Sequence, residues 1–283
     1  MLDINIKKNL QGASGDITLD IQLHIKQNDF IALYGESGSG KTTLLRILAG
    51  LEDAKGTIKV DNEIWLDDKT NLASQKRKIG FVFQDYALFD NMTVEENLLF
   101  VSNDKKLSSR LLEITNLSNL ASRLPHTLSG GQKQRVSLCR AMMNKPKLLL
   151  MDEPLSALDS SMRTKLQNEI LTLHKEFNTT TIMVSHDPSE IYRLASKVLV
   201  ISEGKIINEG KAKDILLKTK GSSKFSFEGE ILDIVKVDII YIAVIAIGQQ
   251  LVEVVISKDE VKNLSIGQKI NVGTKAFSPN ISI

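Results

Sequence analysis

The segment Gly35-Glu-Ser-Gly-Ser-Gly-Lys41-Thr42 matches the phosphate-binding pattern G-x-x-x-x-G-K-[ST]. It follows the apolar run Phe30–Tyr34, typical of a buried strand, and opens a helical pattern that ends near Gly50. Glycines let backbone N–H groups converge on phosphate oxygens, and the helix N-terminus adds partial positive charge. The residues predicted to hold a nucleotide are Gly35, Glu36, Ser37, Gly38, Ser39, Gly40, Lys41, Thr42 and Thr43.

Within this loop, two side chains have distinct predicted tasks. Lys41 is expected to reach the β- and γ-phosphates, and the hydroxyl of Thr42 to ligate Mg²⁺.

A second apolar run, Leu148–Met151, ends in the carboxylates Asp152 and Glu153. Ligands of such sheets lie beyond the carboxyl ends of the strands. We therefore expect Asp152 to hold Mg²⁺ and Glu153 to orient and deprotonate an attacking water.

A second anion-binding pattern occurs at Leu128–Gln132. Ser129 is a good N-cap for the helical stretch that follows, and the Gly-Gly pair leaves backbone N–H groups free to bind an anion. One nucleotide needs only one such cradle within a chain. The simplest interpretation is that the motif completes the site of a second copy related by a two-fold axis. Its predicted binding residues are Ser129, Gly130, Gly131 and Gln132.

Length and composition limit the classes of protein that fit. The 283 residues carry 36 Lys+Arg against 34 Asp+Glu, a net charge of +2, so no nucleic-acid partner is expected. The single cysteine, Cys139, lies in the helix after Ser129 and is interpreted as a residue that packs in the core. The longest apolar run, Ile239–Ile247, is too short to span a bilayer as a helix, and Met1–Asn9 lacks the features of a signal peptide. We expect a cytosolic-type protein.

Strand and helix patterns alternate along most of the chain, which predicts a parallel sheet with helices on both faces. Residues 1–220 are assigned to this α/β domain, 221–224 to a polar linker, and 225–283 to a small β-barrel rich in Ile and Val. Period-two alternation over Ile17–Ile25 predicts one half-buried antiparallel strand. The other predicted strands are Phe30–Tyr34, Ile79–Phe83, Leu148–Met151, Thr180–Ser185, Val198–Ile201, Lys205–Ile207, Ile231–Val237, Ile239–Ile247 and Leu251–Ile256.

The motifs occur in the order and approximate spacing of the ATPase subunits of ABC transporters, which the chain resembles over about Met1–Lys220. The elements that carry the resemblance are Gly35–Thr42, Gln84, Leu128–Gln132, Leu148–Glu153, Ser156–Asp159 and His186. The resemblance implies a RecA-like P-loop NTPase core, a helical subdomain around Thr93–Pro125, and a head-to-tail homodimer that encloses two ATP molecules with Mg²⁺. It also implies that Gln84 links the γ-phosphate and metal to the membrane subunit, that Asp159 lies at the dimer interface, and that His186 contacts the γ-phosphate and orients the water.

One feature departs from the family pattern. Members often stack adenine on an aromatic side chain from the N-terminal strands, and Lys7–Lys26 contains no Phe, Tyr or Trp. We expect modest nucleotide affinity and loose base selectivity.

The tail resembles the small OB-like barrel of TOBE or Mop type found in ATPases of molybdate importers. The resemblance is carried by Phe227–Ile234, Val252–Lys258, Leu264–Lys269 and Val272–Phe277. It implies an importer for molybdate. Ser257 and Lys258 are the candidate oxyanion contacts, and a purely dimerising barrel is the alternative for the tail.

The resemblance further implies a peripheral protein on the cytoplasmic face of the inner membrane. Its partners would be transmembrane permease subunits and, indirectly, a periplasmic or lipoprotein oxyanion-binding protein. The alternatives are an importer ATPase for tungstate, sulfate, iron or another substrate, and a soluble ABC ATPase outside transport.

Overall fold

The computed structural model describes residues 1–12, 15–156, 158–216, 223–237, 240–248 and 250–275. The chain divides into two compact units, Met1–Leu217 and Lys218–Ile283. Of the predicted linker, Gly221 and Ser222 lie outside the described residues, whereas Ser223 and Lys224 already belong to the first strand of the second unit. The described residues contain no helix that is long and apolar enough to cross a membrane.

A single ten-stranded sheet organises the first unit. Its strands in chain order are β1 (Leu2–Gly12), β2 (Gly15–Ile25), β3 (Phe30–Tyr34), β4 (Lys55–Val60), β5 (Glu63–Leu66), β6 (Ile79–Val82), β7 (Leu148–Asp152), β8 (Thr180–Val184), β9 (Lys197–Ser202) and β10 (Lys205–Gly210). Their order across the sheet is β5-β4-β1-β2-β10-β9-β3-β8-β7-β6.

The two halves of this sheet differ in direction. Strands β9, β3, β8, β7 and β6 run parallel, with Phe30 opposite Thr181 and Leu148 opposite Thr180. The pairs β1–β2, β1–β4, β4–β5 and β9–β10 are antiparallel. The prediction of a parallel sheet is therefore correct for one half only. Strands β1, β4 and β5 were not predicted: the alternation in β1 and β4 covers fewer residues than that of Ile17–Ile25, and β5 is only four residues long.

The helices of the first unit alternate with these strands along the chain. They are α1 (Lys41–Ala49), α2 (Val94–Leu99), α3 (Lys105–Ile114), α4 (Gly130–Met142), α5 (Ser160–Phe177), α6 (Pro188–Leu194) and α7 (Ala212–Leu216), with 3₁₀ turns at Ser74–Lys76, Ser118–Leu120 and Pro125–Thr127. Helices α2 and α3, together with two of the turns, occupy the stretch between β6 and α4. They match the expected helical subdomain around Thr93–Pro125.

The parallel strands are buried on both faces because they separate two apolar clusters. Leu149 and Met151 of β7 pack with α4 and α5, whereas Leu148 and Leu150 pack in the cluster that contains α1 and β1. This two-sided burial explains why the central strands read as unbroken apolar runs. Cys139 belongs to the first cluster, fully buried, and burial raises the pKa of its thiol to about 12. Its predicted packing role is confirmed.

The second unit is a four-stranded antiparallel sheet. Its strands are β11 (Ser223–Val237), β12 (Ile240–Ile247), β13 (Gln250–Ile256) and β14 (Lys269–Lys275), in the order β13-β12-β11-β14, and α8 (Lys258–Val261) follows β13. Over the described ranges, no strand pairing joins β13 to β14. A β domain is therefore present, but the closed OB-like barrel is not confirmed; residues 276–283 lie outside the described part.

The candidate oxyanion contacts of this unit, Ser257 and Lys258, lie at the start of α8. Ser257 caps α8: its hydroxyl accepts a hydrogen bond from the backbone N–H of Glu260, and the Glu260 carboxylate accepts the N–H of Ser257 at 2.7 Å. Lys258 is exposed at the start of this one-turn helix. A carboxylate at the cap disfavours an anion there, so the predicted role of Ser257 and Lys258 has no support in the structure.

A buried arginine fixes the end of α1 against the antiparallel half of the sheet. Arg77 is 2% exposed and donates to the carbonyl oxygens of Ile47, Leu48 and Leu72 at 2.7–2.8 Å. Its guanidinium also lies 5.7 Å from the ring centre of Trp65. The carbonyl of Ile47 also accepts the backbone N–H of Gly50, so Arg77 matters most for the carbonyls of Leu48, at the end of α1, and of Leu72.

We expect Arg77→Met to lower the free energy of unfolding by about 2–4 kcal/mol, because it removes the hydrogen bonds to the carbonyl oxygens of Leu48 and Leu72. Urea denaturation followed by fluorescence of the single tryptophan, Trp65, measures this. Lys76→Met is the control, since its side chain is exposed and its loss is expected to cost less than about 0.5 kcal/mol. Equal losses in the two variants would contradict the assigned role of Arg77.

Candidate active site

The phosphate-binding loop connects β3 to α1 and depends on glycine at two points. Gly35 has φ 148°, and a Cβ there would overlap the carbonyl oxygen of Ile201 on β9. Gly40 has φ 98° at the N-cap of α1, where a Cβ would lie 2.9 Å from the side chain of Leu19. Any larger residue would push the loop away from the sheet. The loop thus leaves α1 with its first N–H groups facing outward from the strand edge.

Lys41, the first residue of α1, folds back into the loop. Its ammonium group donates to the carbonyl oxygens of Gly35 and Glu36 and lies 3.3 Å from the hydroxyl of Ser39. The side chain is nearly buried, and burial lowers the pKa of Lys41 while Glu153, Asp152 and Glu36 act in the opposite direction. A partly desolvated cation at the centre of a loop of N–H groups is suited to bind an anion.

An acidic side chain lies directly beneath the start of α1. The hydroxyl of Thr42 donates to Oδ1 of Asp152 at 3.1 Å, and Asp152 ends β7 with 8% of its surface exposed. Burial raises the pKa of this carboxyl, with a further contribution from Glu153, while Thr42 and Lys41 oppose the shift. In the ranges that the structure describes, no group of three or more His, Cys, Asp and Glu could hold a metal.

Three strand ends meet at Glu153, which follows β7. Its Oε1 lies 3.1 Å from Nε2 of His186, beyond β8, and its Oε2 lies 3.5 Å from the amide nitrogen of Gln84, beyond β6. The backbone of Glu153 has φ 46° and donates to the carbonyl of Val184 at 3.1 Å. The structure therefore brings the three predicted residues Gln84, Glu153 and His186 into one cluster.

The second predicted anion motif begins α4. Ser129 caps this helix in a reciprocal pair with Gln132: the Ser129 N–H donates to Oε1 of Gln132 at 2.9 Å, and the Gln132 N–H donates to the Ser129 hydroxyl at 3.4 Å. A Cβ on Gly131 would lie 2.9 Å from the sulfur of Met162, and one on Gly130 would lie 3.1 Å from the hydroxyl of Tyr86. In the described part of the chain, no hydrogen bond or ion pair connects this motif to the phosphate loop.

Asp159 begins α5 as its N-cap. Its Oδ1 accepts the backbone N–H groups of Ser161 and Met162, both at 2.9 Å, and these bonds lower the pKa of the carboxyl. Its neighbour Ala157 lies outside the described residues. On the same helix, Arg163 contacts the loop that carries His186. Sequence reasoning missed Arg163, because an arginine one turn into a polar helix has the pattern of an ordinary solvent-exposed residue.

A polar cavity of about 520 Å³ lies beside the phosphate loop. Its walls come from the start of β2, the phosphate loop and the turn between β9 and β10: Asp16, Ile17, Thr18, Glu36, Ser37, Gly38, Ser39, Ser202, Glu203 and Lys205. Ile17 is its one aliphatic side chain, and no aromatic residue lines it. This agrees with the absence of an aromatic residue from Lys7–Lys26, although Ala13 and Ser14 lie outside the described residues.

Comparison with known proteins adds to this geometry. The family model described as ABC transporter matches residues 18–156. A sulfate/thiosulfate import ATP-binding protein of Mesostigma viride is 44% identical over 69% of this chain and 58% of its own length. A spermidine/putrescine import ATP-binding protein of Haemophilus ducreyi is 38% identical over 79% of this chain and 62% of its own length. The chain thus spans about three fifths of the length of these two relatives.

A solved structure agrees with the fold. The dimeric, post-hydrolysis state of the ATP-binding cassette MJ0796 bound to ADP and Pi superimposes with a TM-score of 0.64 and 31% identity, covering 75% of this chain and 99% of that one. The arrangement of phosphate loop, strand-end acids and capped α4 is that of a P-loop ATPase cassette. The chain belongs to the family of ABC transporter ATP-binding proteins.

The buried carboxyl of Asp152 gives a testable dependence of stability on pH. Its pKa is raised on folding, so its ionised form destabilises the folded state above that pKa, and the penalty disappears as pH falls towards the unfolded value. We expect Asp152→Asn to raise the free energy of unfolding at pH 7.5. The gain should shrink towards pH 4.

Urea denaturation without nucleotide or metal, repeated across this pH range, measures the effect. Asp68→Asn is the matched control because Asp68 is exposed, and its effect should stay within about 0.5 kcal/mol. A loss of stability in Asp152→Asn at pH 7.5 would show that the charge of Asp152 stabilises the apoprotein instead.

Proposed function

We propose that this protein is the ATP-hydrolysing motor subunit of an ABC importer. The observation that carries the proposal is the cluster at the strand edge: Glu153, held between Gln84 and His186, stands next to the Thr42–Asp152 pair and the phosphate loop. A protein that only bound nucleotide would need the loop but not a carboxylate held against two polar side chains.

The residues present fit ATP and Mg²⁺. Lys41 directs its donors at oxygens of its own loop, which are acceptors that phosphate oxygens can replace, and the glycines of the loop carry no side chain that would obstruct a ligand. Mg²⁺ binds proteins through one or two oxygen ligands and takes the rest from phosphates and water. Thr42 and Asp152 supply that number, and the bound ion would neutralise charge on the phosphates.

Glu153 is assigned as the base that accepts a proton from the attacking water, and His186 and Gln84 hold its two carboxylate oxygens. These contacts, at 3.1 and 3.5 Å, fix the direction of the carboxylate. Phosphoryl transfer depends mainly on positioning and charge stabilisation. The site supplies both through Lys41 and the first N–H groups of α1.

We also propose a head-to-tail homodimer. The helix start at Ser129, Gly130, Gly131 and Gln132 is capped and, among the residues that the structure describes, makes no hydrogen bond or ion pair with the chain's own phosphate loop. Asp159 caps a second helix start with an exposed carboxylate. Free N–H groups at Gly130 and Gly131 suit the γ-phosphate of ATP held by a second copy. The solved cassette that superimposes on this chain is itself a dimer.

For the cargo, we propose sulfate or thiosulfate in place of molybdate. The Mesostigma viride relative is named for sulfate/thiosulfate import, at 44% identity, whereas the molybdate prediction depended on the tail, whose closed barrel and oxyanion contacts are not confirmed. Sulfate and molybdate are both tetrahedral dianions, so a general likeness to oxyanion importers does not distinguish them. The spermidine/putrescine relative makes a polyamine the alternative cargo.

The remaining parts of the proposal concern location and partners. The motor would sit peripherally on the cytoplasmic face of the membrane, docked to transmembrane permease subunits through the region of Gln84. A separate oxyanion-binding protein would deliver the cargo to the permease and would meet the motor only indirectly. Nucleic acid has no place in this cycle.

Glu153→Gln tests the assigned base. The amide keeps the shape of the side chain but cannot accept the proton, so we expect phosphate release to fall at least about 100-fold while ATP binding persists. The variant should also accumulate an ATP-bound dimer, measured by size-exclusion chromatography with light scattering. Glu113→Gln, an exposed glutamate of α3, is the control; unaltered turnover in Glu153→Gln would remove Glu153 from the mechanism.

Uptake by vesicles tests the cargo. The protein, reconstituted with a permease of sulfate importers from the same organism, should import radiolabelled sulfate in the presence of ATP, and Lys41→Ala should abolish uptake because it removes the phosphate-binding cation. Molybdate, tungstate and spermidine are added in parallel as competitors. Uptake of spermidine or molybdate with no uptake of sulfate would overturn the cargo assignment while leaving the motor assignment in place.

A further inference from the structure

A cluster of charged side chains, half-buried at Arg163 and Asp187 and buried at Glu190, lies behind His186 and takes no part in the roles assigned above. Arg163 of α5 donates to Oδ2 of Asp187 at 2.9 Å, and its Nε lies 3.4 Å from Oε1 of Glu190. Glu190 is 4% exposed and accepts the hydroxyl proton of Ser185 at 2.7 Å. His186 therefore sits in a loop whose residues on both sides, Ser185 and Asp187, are tied to one arginine–glutamate pair.

The same arginine also holds the segment that leads into α5. Its Nη2 donates to the carbonyl of Leu158 at 3.2 Å, immediately before Asp159. Separately, the hydroxyl of Ser156 donates to the carbonyl of Glu153 at 3.0 Å. Arg163 therefore connects Leu158 to the loop that carries His186, and His186 in turn contacts Glu153 at 3.1 Å.

The chemistry of arginine suits this position. A guanidinium can donate to several acceptors in one plane, whereas an ammonium acts as a point charge. Two arms of the fork are bonded here, while Nε is buried and makes no hydrogen bond with any described residue. A buried unsatisfied N–H is costly. The Arg163–Glu190 contact at 3.4 Å is therefore one that a small movement of either segment would shorten into a bond.

We propose that Arg163 is a positioning residue that couples the placement of His186 against Glu153 to the position of Leu158, directly before α5. The inference rests on the proposed function, because it assigns Arg163 to the hydrolysis step. Arg163 has no contact with the phosphate loop among the described residues, so it acts on turnover and not on nucleotide binding. Leu158, which Arg163 contacts, lies directly before Asp159.

The first test is Arg163→Met, which keeps the length of the side chain and removes the fork. We expect kcat for ATP hydrolysis to fall about tenfold or more, since small misplacements of catalytic groups have effects of that size or larger. The dissociation constant for ATP and KM should stay within about twofold. Lys165→Met, on the exposed face of the same helix, should leave kcat unchanged.

A second variant guards against loss of folding. Asp187→Asn keeps an oxygen to cap α6 but replaces the acceptor of the Arg163 bond, and it should reproduce the loss of kcat. Combined with His186→Ala, Arg163→Met should cause no further loss, because both act through the same side chain. Independent effects, which multiply, would show that Arg163 acts through general stability and would overturn the proposal.

One readout does not depend on turnover. The ring-proton NMR signals of His186, assigned by comparison with His186→Ala among the four histidines, should shift in Arg163→Met and remain unchanged in Lys165→Met. Unshifted signals would refute the positioning role. If the wild-type protein hydrolysed no ATP yet the signals moved, the proposed function would fail while the structural link between Arg163 and His186 stood.

Discussion

The parallel direction of β3, β6, β7 and β8 is the constraint on which the candidate site depends. Because these strands run the same way, their carboxyl ends meet at one edge of the sheet, and the residue after each strand enters a shared space. The phosphate loop, Gln84, Glu153 and His186 arrive there by the same geometry. The antiparallel half supplies a supporting surface, with Leu19 of β2 packed against Gly40.

Buried charge at this edge is balanced locally. Lys41 and Asp152 are both largely withdrawn from water, and burial shifts the pKa of each towards its neutral form while their mutual attraction opposes the shift. Such an arrangement costs stability in the absence of ligand and favours ligands that bring opposite charge. Behind it, Arg163 and Glu190 form a second charged layer that holds the His186 loop. Lys41 and Asp152 are thus assigned to ligand binding, and Arg163 and Glu190 to the positioning of the His186 loop.

The two units of the chain differ in how far sequence patterns reach. In the first, unbroken apolar runs located the central strands, since both faces are buried, and glycine and capping residues located the helix starts at Lys41 and Gly130. Strands β1 and β4 were missed because their polar–apolar alternation covers fewer residues than the alternation that located β2. In the second unit, β-branched runs identified β11, β12 and β13 but could not decide whether the sheet closes, since closure depends on edge pairing and not on local composition.

The sequence alone determined the phosphate loop, the strand-end acids and the capped start of α4, because each is a local pattern whose chemistry requires particular residues at fixed spacing. Only the tertiary structure decided which of these residues meet. Gln84 and Glu153 are far apart in the chain and lie 3.5 Å apart in space because β6 and β7 are neighbours. The role of Arg163 was likewise invisible in the sequence, because its partners come from the loop after β8, and long-range pairing leaves no local pattern.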